Sequence, residues 1–409
     1  MANPPEIYLD HNATAPILPA AAQAVLECGR AVHGNPGSQH AAGRAARGVL
    51  YEASDRVAEL LGASTGGRRP DRLILTSGGT ESNNLALRSL LPVGNQGAAA
   101  GANTHAAAVD AGATPSPHLV ISAIEHPSVD ATADLLAAGG VAVDRAPVDE
   151  NGVTSADAVL ALVRPETRLV SVMLANNETG AVQPVAEIAR RCAARGVPVH
   201  TDATQAVGKT PVDFAGLGVA MLTFTAHKFH GPAGVGGLLV RGDLAGLRLL
   251  AGQAGYERPG TPAVPLAAGM RAALDAWHEE AAPRERRMAT LRDRFESRLA
   301  AAVPGLVVVA SAAPRLPHTS NLAFVGHNRQ ALQMAFDRAG VACSTGSACA
   351  SGSSEPSPVL MAMGLPAGVV DAALRFSLGA QTTAAEIDDA ATRIAAVCAR
   401  LPGGARVGA

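Results

Sequence analysis

The sequence predicts an α/β protein built on parallel strands joined by crossover helices, followed by a smaller α+β unit. Three observations carry that prediction. Between about Asp71 and Val240, short runs rich in Val, Ile and Leu alternate with helical patterns, as strands do when crossover helices join them. The runs are apolar on both pleat faces, which suits strands covered on two sides. Beyond a long helical stretch, strand-like and helix-like segments mix without regular alternation, and 409 residues are enough for two or three folding units.

The strands expected in the first part are Arg72–Thr76, His118–Ala123, Val141–Arg145, Arg168–Leu174, Val197–Thr201, Ala220–Phe224 and Gly236–Val240. Helices are expected at Glu81–Leu91, Ser128–Ala138, Ser155–Val163 and Val185–Arg195, the last two with apolar residues at three- and four-residue spacing. One long helical pattern runs from about Ala263 to Ala302, with Glu279, Arg284 and Arg287 on its expected solvent face. The remainder combines strand-like Leu306–Val309, Ser320–Phe324 and Leu374–Ser377 with helical Asn328–Ala339 and Ala384–Leu401. The segment Pro92–Pro117 is dominated by Ala, Gly, Asn and Thr without apolar periodicity and reads as an exposed insertion. The expected division is a large domain at 17–262, interrupted by the insertion 92–117, and a small domain formed by 1–16 and 263–409.

Hydrophobic residues make up 48% and charged residues 17%, with 33 Lys plus Arg against 35 Asp plus Glu. That balance argues against disorder and against a polyanion-binding role, so nucleic acid is not an expected partner. No apolar run is long enough to span a bilayer, and Met1-Ala2-Asn3-Pro4-Pro5-Glu6 lacks the regions of a signal peptide, so the expected location is cytoplasmic and away from membranes. The five cysteines, Cys28, Cys192, Cys343, Cys349 and Cys398, are too few for a disulfide framework and lack paired Cys-x-x-Cys spacing. No metal site is expected, and a special cysteine here would be reactive rather than structural.

Ligands of open parallel sheets gather at the carboxyl ends of the strands, and the residues after each strand here are chemically distinctive. After Leu73–Thr76 comes Ser77-Gly78-Gly79-Thr80-Glu81, a small-residue turn opening a helix whose free N–H groups and dipole favour an anion such as phosphate; the plainer alternative is a glycine turn with Thr80 as N-cap. Next come Glu125-His126-Pro127, with an imidazole able to stack on a ring or shuttle a proton, and Ala175-Asn176-Asn177-Glu178-Thr179-Gly180, able to bind a ligand or make an Asx turn. Asp202-Ala203-Thr204-Gln205 follows the next strand, where the carboxylate either pairs with a cation or caps a helix. The strand after that delivers Thr225-Ala226-His227-Lys228 into a loop bounded by Gly231 and Pro232. A partly desolvated lysine there has a lowered pKa and can form a Schiff base with a carbonyl, whereas most lysines are solvated surface charges. Together these parts match what pyridoxal phosphate demands: a phosphate cradle, a stacking group, a carboxylate for the pyridinium nitrogen and an amine.

A second constellation lies near the C-terminus. The run Gly340 to Ser357, rich in Gly and Ser, reads as a long flexible loop displaying Cys349, with a Cys343–Cys349 disulfide or an inert loop cysteine as the alternatives. Arg375 sits inside the apolar run Ala373–Leu378, where a buried guanidinium needs either a substrate carboxylate or a structural Asp or Glu.

The ordered series Tyr8-Leu9-Asp10-His11-Asn12-Ala13-Thr14-Ala15-Pro16, His33-Gly34-Asn35-Pro36-Gly37-Ser38, the strand-end motifs and Arg375-Phe376-Ser377-Leu378-Gly379 resembles, nearly end to end, the NifS/IscS-like cysteine desulfurases among the class V aminotransferases. The resemblance implies pyridoxal-phosphate fold type I, with a mixed, mostly parallel sheet in the large domain and an α+β small domain. It implies that Lys228 carries the cofactor, Asp202 pairs with its ring nitrogen, His126 stacks on the ring and Gln205 contacts the phenolic oxygen. Gly79, Thr80, Thr225 and His227 resemble phosphate-binding positions, with Thr261 of Arg258-Pro259-Gly260-Thr261 reaching the phosphate of a partner subunit in a homodimer. Asn177 and Arg375 resemble the anchors of the substrate carboxylate, and Asn177 also lies among the cofactor-binding positions. Cys349, on a loop of about 342–356, resembles the nucleophile that becomes a persulfide.

The activity so implied converts L-cysteine to L-alanine and passes sulfur to an acceptor or scaffold protein of iron–sulfur cluster assembly or thiolation. The catalytic set is Lys228, Cys349 and His126. A selenocysteine lyase, another class V lyase or aminotransferase, and a silent scaffold are the alternatives. Where the family commonly shows a Gln-Glu-Arg-Gly type sequence, Gln253-Ala254-Gly255-Tyr256 stands here.

Overall fold

The computed structural model describes residues 6–91, 116–244, 247, 250, 252, 257–346 and 355–401. Most of the expected insertion, the Gln253–Tyr256 segment and Cys349 therefore lie outside the described residues. The first part of the chain contains β1 (Ile7–Tyr8), α1 (Pro19–Ala31), α2 (Ala41–Leu60), β2 (Arg72–Thr76), α3 (Gly79–Leu90), β3 (His118–Ser122), α4 (Pro127–Ala138), β4 (Ala142–Ala146), α5 (Ala156–Leu162), β5 (Thr167–Ser171), α6 (Val185–Ala193), β6 (Val199–Asp202), α7 (Phe214–Leu217), β7 (Met221–Thr225) and β8 (Gly236–Val240). Then come α8 (Val264–Glu279), α9 (Ala281–Ala302), β9 (Leu306–Val308), β10 (Thr319–Phe324), α10 (Arg329–Arg338), β11 (Val341–Ala342), α11 (Pro358–Ala362), α12 (Ala367–Val370), β12 (Ala373–Ser377) and α13 (Ala384–Arg400).

Seven strands form the large sheet in the order β2-β8-β7-β6-β5-β3-β4. All run the same way except β8, which is antiparallel to both β2 and β7. The sheet is thus mixed and mostly parallel, as expected, and the reversal falls at β8 because the connection from Thr225 to Gly236 is too short for a crossover helix, which takes about a dozen residues or more. Glycines let β8 fit there: a Cβ on Gly236 would stand 2.8 Å from Gly78, and one on Gly237 would stand 2.5 Å from the Phe224 ring. Alternate side chains of each strand feed two cores. Val170, Leu222 and Leu239 pack with Ile188 of α6 and Met270 and Leu274 of α8, while Leu169, Met221 and Leu238 pack with Leu87 of α3 and Leu136 of α4.

A three-stranded antiparallel sheet, β12-β10-β9, has its own core. Phe295 and Phe324 meet Phe376 and Phe336 edge-on at ring-centroid distances of 5.2 and 5.5 Å, each buried ring contributing about 1.5–3 kcal/mol. Ile7 and Leu9 join this core, and β1 pairs in parallel with β11, so the chain start lies against its C-terminal part.

The long helical pattern is broken at Glu280, between α8 and α9. Pro283 in the first turn of α9 has no N–H, and its ring would collide with the Glu279 carbonyl in a continuous helix. Arg284, expected at the surface, is buried; its Nη2 donates to Ala276 O at 3.1 Å and Glu280 Oε2 at 3.2 Å, covering the end of α8. Met270 and Leu274 of α8 share the core of the large sheet, and Leu291 and Phe295 of α9 belong to that of the small one, so the chain passes between cores at this break.

Candidate active site

Five strands that run the same way, β2, β3, β5, β6 and β7, end around a cavity of about 250 Å³. Gly79, Thr80, His126, Asn177, Asp202, Gln205, Thr225, His227 and Lys228 all line it, so residues separated by 149 positions in sequence face one space. Thr261 is exposed and does not line the cavity of its own chain. Arg258, three residues earlier, donates from Nε to Glu81 Oε1 at 2.8 Å, which ties that segment to the start of α3.

Each wall has a local cause. Gly78 is the N-cap of α3, not Thr80, and no side chain caps the helix; first-turn N–H groups and the helix dipole are therefore available to an anion. A Cβ on Gly79 would stand 3.1 Å from Thr204 Oγ1, so the missing side chain keeps the cradle open. His126 is the N-cap of α4: its Nδ1 accepts from Ser128 N at 3.1 Å, which leaves Nε2 to carry the proton of the neutral ring. Burial holds this imidazole below its ordinary pKa, and Lys228 adds to the effect while Asp202 opposes it. Asp202 ends β6, where Oδ1 accepts from Thr204 N at 2.9 Å and Oδ2 from Asn83 Nδ2 at 2.6 Å.

Lys228 lies in a 3₁₀ turn, Ala226–Phe229, directly after β7. Gly208, at φ +74°, admits this turn: a Cβ there would lie 2.2 Å from Phe229 Cβ. Lys228 Nζ donates to Asn12 O at 2.6 Å and Ala13 O at 2.7 Å. His227 Nδ1 stands 3.2 Å from Thr14 Oγ1, and burial, helped by Lys228 and Lys209, lowers its pKa to about 4.

A second cavity of about 540 Å³ shares His126, Asn177, Gln205 and Lys228 with the first and reaches Arg375, Gly346 and Glu355. Gly346 and Glu355 are the described residues on either side of the segment that holds Cys349. Cys343, the other half of the disulfide alternative, has a free, buried thiol whose pKa burial pushes up. Arg375 is 1% exposed; its Nη2 donates to Asp10 Oδ1 at 2.7 Å and its Nη1 to Asn177 O at 3.1 Å, while Nε has no partner among the described residues. The structural ion pair posed as the alternative to a substrate carboxylate thus exists, and Arg375 is at the same time a lining residue of the cavity.

Residue types alone did not single out Asn83, Ser128 or Asn12, and Glu178 stood out only as part of its loop motif. Asn83 Nδ2 also donates to Ser128 Oγ at 2.8 Å, so one amide links Asp202 to the cap of α4. A buried asparagine inside a helix, a poor helix former there, was the available signal. Asn12 O receives both Lys228 Nζ and, at 3.1 Å, Gln205 Nε2. Glu178 is fully buried, which raises its pKa; it accepts from Ser357 Oγ at 2.6 Å just beyond the Cys349 segment.

Pyridoxal phosphate needs anion donors, a carboxylate, a stacking ring and an amine in one enclosed site. The cavity offers each, and two buried polar atoms of its lining residues, Asn83 Oδ1 and Thr204 Oγ1, have no partner among the described residues and suit a polar ligand. Comparisons with known proteins agree. The model of class V aminotransferases matches residues 7–110 and 93–389. A cysteine desulfurase of Cereibacter sphaeroides is 41% identical, with 93% of each chain covered. A selenocysteine lyase of Bos taurus is 38% identical over 98% of this chain and 96% of its own. A solved NifS-like protein superimposes with a TM-score of 0.83 at 29% identity, covering 97% of this chain and all of the other. The chain belongs to the class V aminotransferases, a family of pyridoxal-phosphate enzymes, and within it to the NifS/IscS-like group. Among the described residues, no helix is long and apolar enough to cross a membrane.

Proposed function

We propose that this protein is a cysteine desulfurase that converts L-cysteine to L-alanine and holds the released sulfur on Cys349. The observation that carries the proposal is the cavity pair: one pocket bears Lys228, Asp202, His126 and Gln205, and it joins a larger one bordered by Arg375 and by both described flanks of the Cys349 segment. In this reading Gly79, Thr80, Thr225 and His227 hold the cofactor phosphate, with Thr261 of a second subunit in a homodimer. Asp202 holds a proton on the ring nitrogen, His126 covers the ring face and Gln205 meets the phenolic oxygen. When bound, pyridoxal phosphate supplies an electron sink that makes the substrate Cα–H acidic.

The chain's own groups do the rest. Arg375 and Asn177 orient the substrate carboxylate, and Lys228 Nζ takes the proton from Cα. The Cys349 thiolate attacks the substrate sulfur; the S–S bond forms as the C–S bond breaks, the electron pair leaves with the Cβ carbon, and protonation at Cβ, followed by return of a proton from Lys228 Nζ to Cα, completes alanine. The persulfide sulfur then passes to an acceptor protein of iron–sulfur assembly or thiolation in the cytoplasm. The same reading divides the chain into a cofactor-binding unit and a smaller unit that carries the thiol.

The test is peptide mass analysis after incubation with L-cysteine. One added sulfur on the Cys349 peptide, removable by thiol reductant and absent in Lys228→Ala, is expected. Stoichiometric alanine formation with an unmodified Cys349 would refute it. The similarity to the bovine selenocysteine lyase supports a second reading, selenocysteine turnover at the same site. Activity confined to selenocysteine would select it.

A further inference from the structure

We propose that Lys209 is a positioning residue that holds the Gln205 amide with its N–H edge toward the cofactor. The proposal rests on the reading of the first cavity as the pyridoxal-phosphate site. Lys209 is 5% exposed, lies outside the groups assigned a role above, and among the described residues its side chain makes a single hydrogen bond: Nζ donates to Gln205 Oε1 at 2.9 Å. At its other end Gln205 Nε2 donates to Asn12 O at 3.1 Å. A carbonyl oxygen can only accept, so the amide is oriented by partners at both ends. Its second Nε2 hydrogen remains for the cavity that Gln205 lines.

The local backbone brings the two side chains together. Gln205 and Lys209 are four residues apart on a turn closed by bonds from Val207 N to Ala203 O at 3.0 Å and from Thr210 N to Ala206 O at 3.1 Å. Gly208 in this turn packs against Phe229, beside Lys228. The charged groups that act on Lys209 are Lys228 and Arg375, both repelling, and burial is the larger effect; its pKa is lowered as a result. Among the described residues no carboxylate partner compensates for burying the amine, so stability does not explain a lysine here: an apolar side chain of similar volume is often neutral or better at such a site. Holding Gln205 does explain it, because an amide free to rotate could present its oxygen to the cofactor's phenolic oxygen and repel it.

The experiment is a double-mutant cycle on the holoenzyme, read by the pH midpoint of the bound cofactor's visible absorbance. An N–H donor on the phenolic oxygen favours its anion and lowers that midpoint. Lys209→Met and Gln205→Leu are each expected to raise it by about 0.5–1 pH unit, the range of one neutral hydrogen bond. The double variant is expected to match Gln205→Leu alone. No shift in Lys209→Met, or a further shift when it is added to Gln205→Leu, overturns the proposal, the latter because Lys209 would then act by charge and not through the amide. If Lys209→Met gives no folded holoenzyme, Lys209→Ala, which cannot reach Gln205, serves the same comparison. A wild-type protein that takes up no pyridoxal phosphate would instead overturn the reading of the cavity.

Discussion

Replacing Arg375 with lysine separates substrate binding from structure at the most buried charged side chain near the cavities. Arg375 spends Nη2 on Asp10 and Nη1 on Asn177 O, its Nε has no partner among the described residues, and the residue lines the larger cavity. Lysine keeps the charge, and one contact to Asp10 can survive, but the planar fork and its unused donor are lost. A hydrogen bond to a charged group is worth about 1.5–3 kcal/mol, which converts to a KM for L-cysteine raised about 10- to 100-fold. Because that contact is made to the non-reacting carboxylate, kcat should change much less. The assay is steady-state alanine formation, run beside cysteamine, which has no carboxylate. Wild type should discriminate strongly between the two substrates and Arg375→Lys weakly. An unchanged KM and unchanged discrimination, with a lowered unfolding midpoint, would show Arg375 to be only the partner of Asp10. Arg375→Leu is less informative because it leaves a partly buried carboxylate without its partner, at about 3–5 kcal/mol.

Three further outcomes are expected. Cys349→Ala should keep the cofactor absorbance while sulfide release from L-cysteine under reductant falls to background; undiminished release would remove Cys349 from the reaction. Gly79→Val should weaken pyridoxal phosphate binding at least ~10-fold with little change in apoprotein melting, since its Cβ lies 3.1 Å from Thr204 Oγ1 and its methyl groups enter the cradle; equal affinity by cofactor titration would contradict that placement. The urea midpoint of the apoprotein should rise from pH 4 to 6.5. Burial lowers His11, His227 and His230 to about 4, so over this window the unfolded chain binds protons that the folded one excludes, and stability present above 6.5 is lost as pH falls. Glu125, raised by burial to about 8, and Glu178, raised likewise, act in the opposite sense with fewer protons. A flat or falling profile would show that these histidines are not held neutral by the fold.

The strand-end motifs were legible because each needed only local information. A short β-rich run followed by a glycine turn or a polar residue marks a carboxyl edge, and parallel strands bring such edges together. Thus Gly79, His126, Asp202 and Lys228 could be proposed as neighbours from sequence, and they do line one cavity. The plainer alternative for Thr80, a cap of α3, and the expected exposure of Arg284 fail for a common reason: Thr80 is a good capping type and Arg284 a good surface type, but the close approach of Gly78 to Gly236 and the helix break before Pro283 lie outside such preferences.

From sequence alone came the fold class, the order of strands and helices along the chain, and the set of chemical groups that a pyridoxal-phosphate site requires. Tertiary structure decided the reversed direction of β8, the joining of residues 7–9 to the C-terminal core, the two-ended grip on Gln205 and the Asp10–Arg375 pair. The division follows from range. Periodicity and turn chemistry act over a few residues and are written locally, whereas a buried charge or amide is satisfied by partners as far as 365 positions away, and only the folded chain brings those atoms within hydrogen-bonding distance.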